Sequence, residues 1–166
     1  MSNTTISKED AVVIERIFDV GVDIIWQIWT QPEHFKKWYG PKGFTVPVAD
    51  MDLRVGGKRL ICMASPDGSM KMWTIGEYTE IVPNERLSYT ESPSDENGNV
   101  VSPSAMGMPD GYPTTTEVTI LLEDLGKRTK MVMKHVGVPA DSGADAGWKQ
   151  AFDKLADYIR TTFKNK

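Results

Sequence analysis

Hydrophobic and polar residues alternate along much of this chain with the two-residue period typical of β-strands. Residues 11–18 are short and β-branched and predict a first strand. Further segments with the same character are separated by turns rich in Gly, Pro, Asn and Asp. They predict strands at 50–55, 58–65, 71–81, 86–91, 116–123 and 129–136. The middle of the chain is therefore predicted to be an antiparallel meander.

Helical periodicity occurs near the two ends. Asp23 is a plausible N-cap for a helix that carries Trp26 and Trp29, and Pro32 begins a short second helix. The last segment, from about Ser142 to Lys164, places apolar residues at three- and four-residue steps: Trp148, Ala151, Phe152, Leu155, Ile159 and Phe163. This stripe predicts an amphipathic helix that packs on the sheet.

The opposite side of that helix carries charged residues, Lys154 among them, and is expected to face solvent. Leu155→Ala should therefore destabilise the protein by about 2–5 kcal/mol, because it removes buried methyl groups. Lys154→Ala should change stability by less than about 0.5 kcal/mol.

The order of elements predicts an α+β fold with helices on one face of an antiparallel sheet. Residues 11–166 are expected to form a single domain, and the polar residues 1–10 a disordered N-terminus. The net charge of -4 disfavours a nucleic-acid partner, which needs a basic surface. No apolar signal-peptide core and no membrane-spanning run occurs, so a cytoplasmic location is the default expectation.

Candidate catalytic and metal-binding residues are few. Cys62 is the only cysteine, and the two histidines lie in distant contexts, so we expect no metal and no cofactor. His34, among charged residues, is interpreted as exposed surface. His135 shares the inward parity of Met131 and Met133 and is interpreted as half-buried near a rim, with proton transfer as the alternative. No nucleophile motif is present.

Methionines form three i, i+2 pairs, at Met70/Met72, Met106/Met108 and Met131/Met133. They predict either an ordinary Met-rich core or the lining of an apolar cavity. Residues 92–115 form a long predicted loop with apolar positions at Met106, Met108 and Tyr112. These three residues form either a lid at the mouth of a cavity or part of a loop that packs on the surface.

Several motifs, in the same order, resemble the activator of heat-shock-protein-90 ATPase homologue-like domain of the START-like (SRPBCC) superfamily. The resemblance extends from about residue 10 to 160 and is carried by residues 13–18, Trp26, Trp29, 32–41, 50–57, 76–81, 85–90, 95–101, 106–109, 147–148 and 152–155. It implies a helix-grip fold: a curved antiparallel sheet around a long C-terminal helix, two short helices after the first strand, and a cavity between sheet and helix.

The same resemblance leaves the activity open, since relatives include a co-chaperone domain and proteins that bind toxic small molecules. The eukaryotic co-chaperone has an additional N-terminal domain, whereas about ten polar residues precede the first predicted strand here. Fold alone does not identify function.

The leading functional expectation is non-catalytic binding of an apolar or aromatic small molecule. The predicted cavity walls are Tyr89, Ile120, Met131, Met133, Trp148 and Phe152, with His135 as the polar group. A co-chaperone-type protein-interaction module is the first alternative, favoured by a sealed or collapsed cavity. An enzyme that uses the cavity for proton transfer or hydrolysis is the second, favoured by an open pocket with His135 beside a buried carboxylate.

Overall fold

The structure is a computed structural model that describes residues 11–106, 113–138 and 144–163. Its strands are β1 (Ala11–Phe18), β2 (Thr45–Met51), β3 (Lys58–Ala64), β4 (Lys71–Val82), β5 (Arg86–Ser94), β6 (Thr116–Asp124) and β7 (Thr129–Val136). Its α-helices are α1 (Val22–Thr30), α2 (Pro32–Phe35) and α3 (Ala144–Thr162), and Pro103–Met106 forms a 3-10 turn.

The strands form one antiparallel sheet in the order β1-β7-β6-β5-β4-β3-β2. Strand β1 pairs with β7 over its whole length, from Ala11 opposite Val136 to Phe18 opposite Thr129. The remaining neighbours follow chain order as an antiparallel meander, with short turns at every connection except residues 95–115 between β5 and β6. With α3 packed on the sheet, this arrangement confirms the predicted α+β helix-grip fold.

Aromatic side chains fill the space between the sheet and the helices. Trp29 of α1 packs edge-on against Trp38 with ring centroids 4.7 Å apart, and it also contacts Phe152 of α3 at 6.3 Å. The Trp29 indole N–H lies 3.3 Å from the sulfur of Met131 on β7. Pairs of this kind contribute about 0.5–1.5 kcal/mol each beyond the area that they bury. The predicted apolar stripe of α3 is confirmed from Trp148 to Ile159.

Two predicted boundaries are wrong. Strand β2 covers Thr45–Met51, so the predicted strand at 50–55 ends early, and Leu53 and Val55 are 41% and 66% exposed. The backbone N–H of Gly57 instead bonds the Arg54 carbonyl, in a turn too tight for a Cβ at position 57. Strand β5 continues to Ser94 through pairing with β4, so the loop predicted at 92–115 begins later.

Two local predictions near the first helices are also wrong. Helix α1 begins at Val22 with Gly21 as its N-cap, and Asp23 lies in the first turn, where its charge still suits the helix dipole. His34 is half-buried rather than exposed, and its Nδ1 lies 2.7 Å from the Tyr158 hydroxyl of α3. The reason is that α2 packs against α3, which local charge patterning does not reveal.

The expectation that Lys154 faces solvent is wrong. Its ammonium lies 3.1–3.3 Å from the backbone carbonyl oxygens of Tyr39, Gly40, Pro41 and Phe44. These carbonyls belong to the loop after α2, where the Pro41 carbonyl also accepts the Phe44 N–H, and the ammonium is a donor shared by all four. Lys154 therefore fastens this loop to α3.

Candidate functional site: a cleft beside helix α3

A cleft of about 320 Å³ lies between the first half of α3, the loop after α2 and the inner face of the sheet. Most of the side chains that line the cleft are apolar, and His135 is the one histidine among them. The lining residues are Tyr39, Gly40, Pro41, Met63, Met72, His135, Ala144, Gly147, Trp148 and Ala151. Ligand pockets usually measure about 300–1,000 Å³, so this volume suits a small ligand.

Small residues on α3 create the space. Ala144, Gly147 and Ala151 recur at three- and four-residue steps and so share the face that turns toward the cleft. Across the cleft, Met63 of β3 and Met72 of β4 are directly paired and form an adaptable wall. The cleft therefore has a small-residue side and a flexible thioether side.

His135 is held by a chain of hydrogen bonds at the inner edge of the cleft. The Trp148 indole N–H donates to His135 Nδ1 at 3.1 Å, so the ring proton must lie on Nε2. Nε2 then donates to the Thr116 hydroxyl at 2.9 Å, and that hydroxyl donates to the Glu91 backbone carbonyl at 3.3 Å. Burial lowers the pKa of His135, only partly countered by the Glu91 charge, which keeps the ring neutral near pH 7.

A second polar group joins the wall of the cleft to the interior. The Tyr39 hydroxyl donates to the Glu91 carboxylate at 3.3 Å and lies 3.5 Å from the Tyr89 hydroxyl. Burial, reinforced by the Glu91 charge, raises the pKa of Tyr39 well above its ordinary value. Tyr39 therefore lines the cleft and acts as a neutral donor whose hydroxyl contacts Glu91 and Tyr89, two residues that do not line the cleft.

Behind Tyr39 lies a buried arginine that sequence reasoning missed. Arg59 is 2% exposed, and its guanidinium carbon lies 3.5 Å from the ring centroid of Tyr89, with Phe35 at 5.4 Å and Tyr78 at 5.6 Å. Among the described residues, no hydrogen-bond acceptor serves its Nε and no partner serves the Tyr78 hydroxyl. A detectable signal did exist, since Arg59 has the same strand parity as Ile61 and Met63.

The energetics of Arg59 are unfavourable in isolation. Burying an ion has an effective cost of several kcal/mol, even after relaxation. Cation–π contact with a desolvated cation stabilises the folded state by about 2 kcal/mol, which offsets part of this cost. No carboxylate of the described ranges forms a salt bridge with Arg59. The aromatic box therefore holds a cation that forms no salt bridge with the described carboxylates and whose Nε–H has no acceptor among the described residues.

The structure places the predicted wall residues in two groups. His135 and Trp148 line the cleft. The other five are at most 1% exposed and lie in the packed core behind it: Tyr89, Ile120, Met131, Met133 and Phe152. Of the predicted lid, Met106 ends the 3-10 turn, whereas Met108 and Tyr112 lie outside the described residues.

Of the methionines in the predicted i, i+2 pairs, only one of those that the structure describes lines the cleft. Met72 belongs to a predicted pair and lines the cleft, but its partner Met70 is 55% exposed. Met63 has no i, i+2 partner and becomes a wall residue through its pairing across the sheet. Long-range pairing of this kind is not visible in the local sequence.

Within 11–106, 113–138 and 144–163, no three His, Cys, Asp or Glu side chains are grouped so that they could hold a metal ion. None of the helices in these same ranges is both long and apolar enough to cross a membrane.

Comparison with solved structures identifies the same fold in several bacterial proteins. A protein from Chromobacterium violaceum is 23% identical with a TM-score of 0.74, and the match covers 90% of this chain and 96% of that chain. A protein from Arthrobacter aurescens is 25% identical with a TM-score of 0.75, over 92% of this chain and 87% of that one. The AHSA1 protein from Silicibacter pomeroyi is 20% identical with a TM-score of 0.72, over 91% and 98%.

A search of curated proteins found no match to the sequence. The family model described as Activator of Hsp90 ATPase homolog 1-like protein, in contrast, matches residues 19–160, which include α1, α2, the strands β2 to β7 and all but the last two residues of α3. By this match, and with the helix-grip architecture that accompanies it, the chain belongs to the Activator of Hsp90 ATPase homolog 1-like family.

Proposed function

We propose that this protein binds an apolar or aromatic small molecule in the cleft beside α3 without transforming it. The observation that supports the proposal is the cleft itself, which is open, about 320 Å³ in volume and lined mainly by apolar side chains. An apolar cavity of about 150 Å³ holds benzene, so this volume suits a ligand of about two fused rings. Trp148 and Tyr39 offer aromatic edges and faces for such a ligand.

The hydrogen bonds of His135 favour binding over catalysis. A general base needs a free lone pair that points at the substrate, but the Nδ1 lone pair of His135 accepts the Trp148 N–H. Its Nε2 proton is engaged with Thr116. His135 therefore acts in this proposal as a rigid polar edge that orients the ligand. An open cleft also supports ligand binding over an interaction module, because a sealed interior is what favours such a module. A cytoplasmic location is part of the same proposal.

Gly147 offers a direct test, because it lies on the cleft face of α3. Of the residues that the structure describes, a Cβ at this position would meet only Pro41, at 3.7 Å, which is an ordinary van der Waals distance. Gly147→Phe should therefore fill the cleft without displacing backbone, whereas Met133→Trp would overpack the core. Gly147→Ala is the matched control, since it leaves the cleft open and raises helix propensity.

Binding of 2-methylnaphthalene is measured by calorimetric titration and by the rise in melting temperature. A ligand that binds only the folded state must raise the melting temperature by mass action. The native protein and Gly147→Ala should bind at one site, and Gly147→Phe should lose binding while melting cooperatively. Absence of binding to the native protein across a panel of fused-ring and lipid-like compounds, or undiminished binding by Gly147→Phe, would refute the proposed function.

A further inference from the structure

The buried guanidinium of Arg59 specifies the chemistry of the ligand more narrowly than the apolar cleft does. Arginine is always charged and offers five N–H donors in a planar fork, which matches the two oxygens of a carboxylate. Here the face of the fork is covered by Tyr89, while its Nε has no acceptor among the described residues. The nearby Tyr78 hydroxyl likewise has no partner in this part of the chain. Two donors that lack partners among the described residues therefore lie in one buried aromatic cluster, and an oxygen acceptor would satisfy them.

Tyr39 connects this cluster with the cleft. Its ring is part of the cleft wall, and its hydroxyl lies 3.5 Å from the hydroxyl of Tyr89, the ring on which Arg59 lies. Arg59 is also on the same face of β3 as the cleft residue Met63, four residues away along a strand of period two. The cleft and the guanidinium therefore lie on the same face of the sheet, separated by the Tyr39 side chain.

We propose that the ligand of the cleft is an apolar or aromatic acid whose carboxylate passes Tyr39 and pairs with the Arg59 guanidinium. This inference rests on the proposed function, because the ring system of the ligand occupies the cleft. The Tyr78 hydroxyl donates a further hydrogen bond to the same carboxylate. A charge-assisted pair in a buried site is stronger than a neutral hydrogen bond, so the acidic group determines specificity.

The negative charge of Glu91 also affects how strongly an acidic ligand would bind near Arg59. Its half-buried carboxylate accepts the Tyr39 hydroxyl and lies two residues from Tyr89 on the same strand. It therefore weakens the binding of an acid by like-charge repulsion and loosely balances Arg59 when no ligand is present. Removing the Glu91 charge should thus raise the affinity for an acid, the opposite of the effect of removing Arg59.

The test compares 2-naphthoate with 2-methylnaphthalene, which has the same ring system without the charge, by calorimetric titration at pH 7. The native protein should bind the acid about tenfold or more tightly than the hydrocarbon. Arg59→Met should abolish that preference and leave hydrocarbon binding within about twofold, and Glu91→Gln should increase the preference. Arg86→Met is the matched control, because Arg86 lies outside the cluster and pairs with Glu80 on the surface.

Arg59→Met should fold, since an apolar residue of similar volume often replaces a buried charge without loss of stability. Should it not, Tyr78→Phe removes one donor with almost no change in shape and should still reduce the preference for the acid. Hydrocarbon binding without any preference for 2-naphthoate overturns this inference and leaves the proposed function standing. A preference unchanged in Arg59→Met or Tyr78→Phe overturns it as well. Failure of these two compounds and of the wider panel to bind refutes the proposed function itself.

Discussion

Replacement of Lys154 by methionine should destabilise the protein far more than its position in the sequence suggests. The change keeps a long unbranched side chain but removes the ammonium that bonds the carbonyls of Tyr39, Gly40, Pro41 and Phe44. Three ammonium hydrogens serve four acceptors, so three hydrogen bonds at most exist at once.

The expected magnitude follows from those contacts. Hydrogen bonds that involve a charged group contribute about 1.5–3 kcal/mol each, so three give about 4.5 kcal/mol at the lower end. Lys154 is only half-buried, and water replaces roughly half of this contribution, which leaves about 2 kcal/mol. With a urea m-value of about 2 kcal/mol/M, the unfolding midpoint should fall by about 1 M.

Urea unfolding of native protein, Lys154→Met and Lys149→Met, followed by tryptophan fluorescence, measures this difference. Lys149 lies on the same helix but is exposed, and its ion pair with Asp145 at 3.8 Å is a surface contact. Its replacement should change the free energy of unfolding by less than about 0.5 kcal/mol. Equal midpoints for the two variants at an unchanged m-value would refute the claim that Lys154 fastens the loop to α3.

Two further predictions concern His135 and Gly76. Burial lowers the pKa of folded His135 below its ordinary value of 6.5, so its contribution to stability is present above that pH and is lost as pH falls below it. Urea melts between about pH 8 and about pH 5 measure the difference in free energy of unfolding between native protein and His135→Gln. This difference should shrink as the pH falls, and a constant difference contradicts the claim that His135 is neutral in the folded protein. Gly76→Ala should prevent native folding, because its Cβ would lie 1.7 Å from the Thr90 carbonyl oxygen. Gly68→Ala, in open space at φ +75°, should lower the free energy of unfolding by only about 1–2 kcal/mol. Circular dichroism that shows both variants equally folded would contradict this.

Most of the fold was predictable because its determinants are local. Two-residue alternation gave the strands, three- and four-residue steps gave the buried face of α3, and the inward parity of Met131, Met133 and His135 agrees with their burial. The boundary of the strand predicted at 50–55 was wrong because a turn, and not a change in the alternation, ends the strand. A turn that ends at Gly57 interrupts an alternation that would otherwise have continued.

The site was less predictable because its members meet only through long-range packing. Lys154 looks like a solvent-facing residue within its helix, and the carbonyls that it binds are more than a hundred residues away in the chain. Arg59 looks like any charged strand residue, and its aromatic surroundings come from α2, β4 and β5. The sequence identified the two cleft residues of the predicted set, His135 and Trp148, but could not separate a cleft surface from the core behind it.

The Lys154 contacts also determine when the cleft can exist during synthesis. They join residues separated by 110–115 positions, and the pairing of β1 with β7 joins Ala11 to Val136. The sheet order and the loop anchor are thus both completed by the last described elements to leave the ribosome. Until α3 emerges, Trp29 and Trp38 lack the Phe152 ring that both contact in the folded protein. The cleft is therefore complete only when α3 has been added, and apolar side chains that wait for their partners in an unfinished chain are the kind of surface that aggregates.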